Sequence, residues 1–286
     1  MDNYIVKLDE LLSKTFETPK SYGPYHLICF GIVVALTVLL CVFFRNCKDR
    51  TLRIILAVAL VAMVSLEFLD EFADSVDFNA ATGLLELDYP WYRFPFQLCS
   101  TIIWVSPFVI FLPEGKVRDA AMAYLALFSF FGGLAVMIYP NDVFTSSIIT
   151  CIHTMVHHGL QVALGIFIFV HERKKYGIRH FLGAVVCFMI LLSVATALNE
   201  VVHEAILAFG SDNSFNMFYI SRHYECTLPV LSSIYPLVPY PVFFIIYSLG
   251  FVLVAFIIYF VQLSIYHLVT VIKDKVRSKK ANAVQE

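Results

Sequence analysis

Charge is what this chain has least of. Asp, Glu, Lys and Arg make up 15% of its 286 residues, too few to solvate a soluble domain in which 59% of the residues are hydrophobic and mean hydropathy is +0.78. Neither sign dominates: a net charge of −2 gives no basic surface for nucleic acid. The seven cysteines lack the paired spacing of a disulfide framework or a zinc site, and they read as free thiols. No repeat, low-complexity tract or Pro/Gly/Ser-rich linker divides the chain, so a single compact unit is expected. Residues 1–24 hold no short apolar core followed by small residues, and no cleavable signal peptide is expected there.

What is there is hydrocarbon in long runs. Stretches of about 20 apolar residues cross a ~30 Å hydrocarbon core as helices. Seven can be drawn, at roughly 25–44, 54–74, 92–112, 119–139, 147–170, 180–208 and 241–270. The expected fold is therefore all-α, a polytopic bundle of seven transmembrane helices. Basic residues orient it. Arg45, Lys48, Arg50 and Arg53, then Lys116 and Arg118, then Arg173, Lys174, Lys175 and Arg179, then Lys273, Lys275, Arg277, Lys279 and Lys280 all fall on one side, fifteen of the 20 in the chain. The positive-inside rule places that side in the cytoplasm and the N-terminus outside. The organisation expected is an extracytoplasmic segment 1–24, a membrane domain 25–270 with an extracytoplasmic cap at 209–240, and a basic cytoplasmic tail 271–286 suited to anionic headgroups.

Polar side chains inside the spans carry the functional signal, because an ionisable group at membrane depth costs roughly 2.5–3.5 kcal/mol on insertion scales. Glu67, Asp70, Glu71 and Asp74 share one face of the second span, with the outer two near the headgroups. Such a face suits a hard cation, but one helix does not surround an ion. The fifth span carries His153 and His157 four apart, with His158 turned aside and Gln161 a turn further. Two histidines so spaced can ligate a metal, yet the usual accompanying glutamate pattern is missing, so neither metal nor cofactor is assigned. The sixth span adds Asn199, Glu200, His203 and Glu204. By depth, His26, Glu67, Asp70, Cys99, His153, His157, Asn199 and His203 fall in the outer half or near the midplane, while the inner half is nearly all apolar. That distribution argues against a continuous polar channel.

The stretch FPFQLCS, Phe94 to Ser100, places Cys99 about one turn inside the third span if Pro95 opens that helix. The helix dipole there favours a thiolate. Gln97 can donate to an oxyanion and a nearby histidine can take a proton. A small buried core cysteine is the plain alternative.

Six stretches in order, YGPYHLICFG, SLEF, FPFQLCS, GGLAVMIYPND, VHHGLQVAL and GSDNSFNMFYIS, resemble the YwaF-like family of integral membrane proteins over about 240 residues. Its eukaryotic relatives include a transmembrane phospholipid acyltransferase of the TMEM class. The resemblance implies seven spans with a buried cysteine and histidine close together, matched here by Cys99 and His158. It also matches His26, Glu67 and Asn216 to family positions. Gln97 stands where the family often has histidine, which leaves the base to His158, with His153 the rival because its depth is closer to that of the thiol. The expected activity is acyl transfer or ester hydrolysis on a phospholipid or fatty-acyl substrate in the plasma membrane. Cys99 and His158 are catalytic in this reading; Gln97, His26, Glu67, Asn199, Asn216, His153 and His157 support them. The alternative is a transporter or lipid-binding protein using the same polar cavity without chemistry.

Overall fold

A computed structural model describes residues 2–79, 82–140, 143–210 and 213–285, with side chains described from Tyr4 to Lys275. Asn141 and Asp142 of the GGLAVMIYPND stretch, Ser211 and Asp212 of the cap, and the basic side chains of the tail beyond Lys275 lie outside the described residues. Helices occur in the order α1 (Asp2–Leu12), α2 (Pro24–Phe43), α3 (Asp49–Ser75), α4 (Thr101–Phe111), α5 (Lys116–Tyr124), α6 (Phe130–Ile138), α7 (Ile148–Glu172), α8 (Ile178–Ala208), α9 (Leu231–Ile234) and α10 (Tyr240–Gln285). A π turn over Leu125–Ser129 joins α5 to α6 into one rod. Its wider winding frees backbone carbonyls, and Gln262 of α10 donates to that of Ala126 at 3.1 Å.

Among the described residues, six helices are long and apolar enough to cross a membrane: α2, α3, the α5–α6 rod, α7, α8 and the first 36 residues of α10. The chain is a multi-pass membrane protein. Helix α7 is the hub, packed on α2, α3 and α6, while α5 packs on α8. The outward faces of α2 and α10 present side chains such as Ile28, Ile32, Leu249 and Leu253, as a lipid-facing surface requires.

The third predicted span differs. Helix forms only over Thr101–Phe111, because Pro95 forces Phe94 into an extended conformation (φ −45°, ψ 128°) and a turn through Leu98–Ser100 follows. Cys99 therefore lies ahead of the helix, one residue before the cap Ser100, and not one turn inside it. The segment still travels far. Arg93 pairs with Asp70 and Asp74 near one end of α3, and Arg53 near the other end donates to the Ile110 carbonyl at 2.6 Å. From residue 53 to residue 70, α3 rises about 26 Å. Unwound backbone at such depth persists only where protein satisfies its polar groups. Here Trp104 donates to the Pro95 carbonyl at 2.7 Å, and Gln161 and His157 meet that of Cys99.

Three features go beyond the sequence reading. Helix α3 is followed by a hairpin, β1 (Val76–Asn79) antiparallel to β2 (Leu84–Leu87), with Val76 opposite Leu87. Gly83 sits at φ +68°, a conformation that costs a glycine little. The N-terminal segment contains α1 and then pairs through Thr15 with Ser147 at the head of α7. At the end of the bundle bearing the basic loops, Arg118 is buried, bound to Asp49 and to the Val109 carbonyl. That end also holds His171 and Glu172, 2.8 Å apart, so it is not purely apolar.

Candidate functional site

Helix α7 starts at Ile148 because the Ser147 hydroxyl caps it, accepting from the Thr150 N–H at 3.3 Å. From there His153, His157 and Gln161 follow at i, i+4 and i+8, a stripe that faces α3 and the Cys99 turn. The carboxylate face of α3 meets it. Asp70, 1% exposed, accepts from the Thr150 hydroxyl at 2.6 Å, lies 3.0 Å from His153 Nδ1, and is bound by Arg93, which also holds Asp74. Glu67 Oε2 is 2.9 Å from His153 Nε2 and 3.7 Å from His157 Nδ1. Glu71 turns outward to accept from Tyr89 at 3.1 Å, and burial beside that carboxylate pushes the Tyr89 phenol's pKa up.

The three imidazoles form a chain, His153 to His157 at 5.3 Å and His157 to His158 at 5.5 Å between ring centres. Their hydrogen bonds set their chemistry. His153 faces a carboxylate at each nitrogen. His157 Nε2 donates to the Cys99 carbonyl at 3.3 Å, which leaves Nδ1 buried with no hydrogen-bond partner. His158 Nδ1 donates to the Thr154 carbonyl at 2.8 Å, and its Nε2 is likewise buried without a partner. An imidazole protonated at Nδ1 carries its lone pair on Nε2, the form a general base requires.

The glycine pair of α6 explains how the Cys99 turn fits. A methyl group on Gly132 would lie 3.4 Å from Cys99 Cα; one on Gly133 would lie 2.6 Å from Gln161 Cβ and 2.7 Å from the His158 carbonyl oxygen. Only hydrogen leaves room for α7 at Gly133.

The sequence pattern of the TMEM164 family matches residues 21–259. The chain belongs to that family. No curated protein and no solved structure matches it. The match to the TMEM164 pattern spans the whole polar cluster and residues 209–240.

In this TMEM164-family chain, Cys99, His157, Glu67 and His153 are brought together, with His158 one ring further along α7. The other predicted site residues serve the backbone. His26 accepts from the Tyr22 N–H at 3.0 Å through Nδ1 and donates to the Met137 carbonyl at 2.9 Å, tying α2 to the end of α6. Gln97 donates to the Asn216 carbonyl at 2.9 Å and accepts from the Phe218 N–H at 2.8 Å. Asn199 does the same for both backbone groups of Met217, at 3.0 and 2.7 Å. Asn216 bonds the Glu225 carbonyl and the Ser221 N–H. These amides hold a strained piece of chain, since Phe218 and Tyr219 have φ of 59° and 54°. Tyr247 adds a fourth clamp, donating to the Phe218 carbonyl at 2.7 Å. Arg93 was missed from sequence; the signal was a lone arginine at the opening of the 92–112 run, whose preceding span carries four carboxylates.

Proposed function

We propose that this TMEM164-family protein moves acyl chains on lipid esters, with Cys99 as nucleophile and His158 as general base. Carrying the reading is His158 itself, a buried imidazole that donates through Nδ1 and keeps Nε2 free, next in the chain to the His157 that reaches the Cys99 carbonyl. His153, the rival base, has a carboxylate within 3.0 Å of each nitrogen, so neither is open to a thiol proton.

In the reaction the Cys99 thiol passes its proton to His158 Nε2 as sulfur bonds to the ester carbonyl carbon. The tetrahedral oxyanion then collapses; the ester C–O bond breaks, and the departing lysolipid oxygen takes the proton from His158. The acyl group is left on sulfur as a thioester. A second lipid hydroxyl, or water, repeats the sequence in reverse and restores the thiol. Gln97, Asn199 and Asn216 act as positioning residues in this scheme: they fix the Phe215–Ser221 strap against the segment that leads into Cys99. The third predicted run, 92–112, completes a seventh crossing, with the site outside the cytoplasmic half of the plasma membrane.

The test is covalent labelling. Purified protein in lipid nanodiscs, incubated with an alkynyl fatty-acyl thioester or activated ester, is expected to acquire hydroxylamine-labile label on the peptide bearing Cys99. Cys99→Ala is expected to lose it. Undiminished labelling of that variant ends the proposal.

A further inference from the structure

We propose that Glu67, His153 and His157 form a binding site for one divalent transition-metal ion of the zinc class. The acyl-transfer scheme uses none of these groups, so the proposal stands apart from it. Its first support is geometric. One ligand atom from each of the three residues lies within 4.8 Å of the others. Two ligand atoms about 2.0–2.1 Å from a tetrahedral ion stand about 3.3–3.4 Å apart. The separations from Glu67 Oε2 to the two ring nitrogens, 2.9 and 3.7 Å, bracket that value.

The second support is the outer shell. A metal-bound histidine gives its other N–H to a carboxylate or a backbone carbonyl, which sets the tautomer and leaves the inner nitrogen free to coordinate. Both arrangements are present. His153 Nδ1 meets Asp70, itself held by Arg93 and Thr150, and His157 Nε2 meets the Cys99 carbonyl. Both inner nitrogens then converge on the same Glu67 oxygen.

The third support is what remains unexplained without an ion. If His153 were simply an imidazolium between two carboxylates, His157 Nδ1 would still sit unbonded on a side chain 2% exposed, aimed at an oxygen 3.7 Å away. A buried nitrogen without a partner gives up its hydration for nothing in return. Charge points the same way: Glu67, Asp70 and Asp74 outnumber Arg93 by two, with Glu71 adding more, and one dication balances the pair that an imidazolium leaves half compensated. Two imidazoles and one carboxylate suit zinc, cobalt or ferrous iron over calcium or magnesium, and three protein ligands leave a coordination position open.

Metal analysis of the full chain, purified in nanodiscs without chelator, loaded with Zn²⁺ and desalted, is expected to give about one ion per chain. Glu67→Gln and His157→Phe are each expected to abolish retention, Asp70→Asn to weaken affinity by about 10–100-fold, and Glu200→Gln, at a separate carboxylate–histidine pair, to change nothing. Should the first two variants fail to fold, Co²⁺ added to the unaltered protein decides: intense visible bands displaced by Zn²⁺ support the site. No retained metal after loading with zinc, cobalt, iron(II) or manganese overturns it, as does a full complement in both folded variants.

Discussion

Asp70 carries more partners than any other carboxylate in the cluster, and its removal reads the network directly. Replacing it by Ala strips Arg93, His153 and Thr150 of a shared acceptor in a site that is nearly closed to solvent. Breaking a buried pair on one side costs about 3–5 kcal/mol, so Asp70→Ala is expected to lower the thermal midpoint of the detergent-solubilised protein by many degrees. Asp74→Ala, at a side chain 35% exposed, is expected to cost far less. The histidines separate by role in the same way. His158→Gln is expected to slow thioester formation with the fold intact, because only the Thr154 bond is at stake. His26→Gln, which cuts the tie between α2 and Met137, is expected to lower stability with little effect on labelling of the surviving fraction. Circular dichroism melts and acyl labelling of the same samples distinguish these outcomes. At this scale the sequence was informative about identity and poor about duty. The carboxylate face and the histidine pair are visible as periodicity, whereas which nitrogen is free depends on carbonyls contributed by other segments.

Elements show why. The apolar runs mark six long helices well, because burial in lipid needs little beyond length and hydropathy. Phe94–Ser100 looks like the start of another helix by hydropathy alone. Its Pro95, together with side chains from α7 and the cap that satisfy its backbone, allows it to unwind, and that satisfaction arises from contacts some 60 to 120 residues away along the chain. The β1–β2 hairpin went unseen for a related reason: β2 is exposed along its whole length and β1 is only partly buried, so neither four-residue strand carries a strong burial pattern. Two substitutions probe the elements. Gly133→Ala pushes a methyl group into Gln161 and the His158 backbone, and is expected to destabilise by about 1–3 kcal/mol and to widen the α6–α7 contact. Gln97→Ala orphans the Asn216 carbonyl and the Phe218 N–H at about 1–3 kcal/mol each. Faster hydrogen exchange confined to residues 213–221, with the α7 amides unchanged, is the expected signature.

For the whole molecule, the arrangement is a bundle with two unlike ends. One is pinned by Asp49, Arg53 and Arg118 and by the bonds from Arg173 and His171 to the α2–α3 turn. The other holds the histidine chain, the carboxylates and the Cys99 turn. Lysines and arginines crowd the first end, and the positive-inside rule predicts that the end with the histidines and carboxylates faces away from the cytoplasm. Cysteine accessibility to a membrane-impermeant thiol reagent, scored at residues placed one at a time in the β1–β2 hairpin, is expected to show modification from outside intact cells. Modification only after permeabilisation would reverse the orientation.

The most direct measurement is acyl transfer by purified protein in vesicles containing a lysophospholipid and a phospholipid bearing an isotopically labelled acyl chain. The account predicts that label appears on the lysophospholipid with the unaltered protein, falls to background with Cys99→Ala and drops steeply with His158→Gln, while His26→Gln retains it in proportion to folded protein. Transfer by Cys99→Ala at the unaltered rate would contradict it.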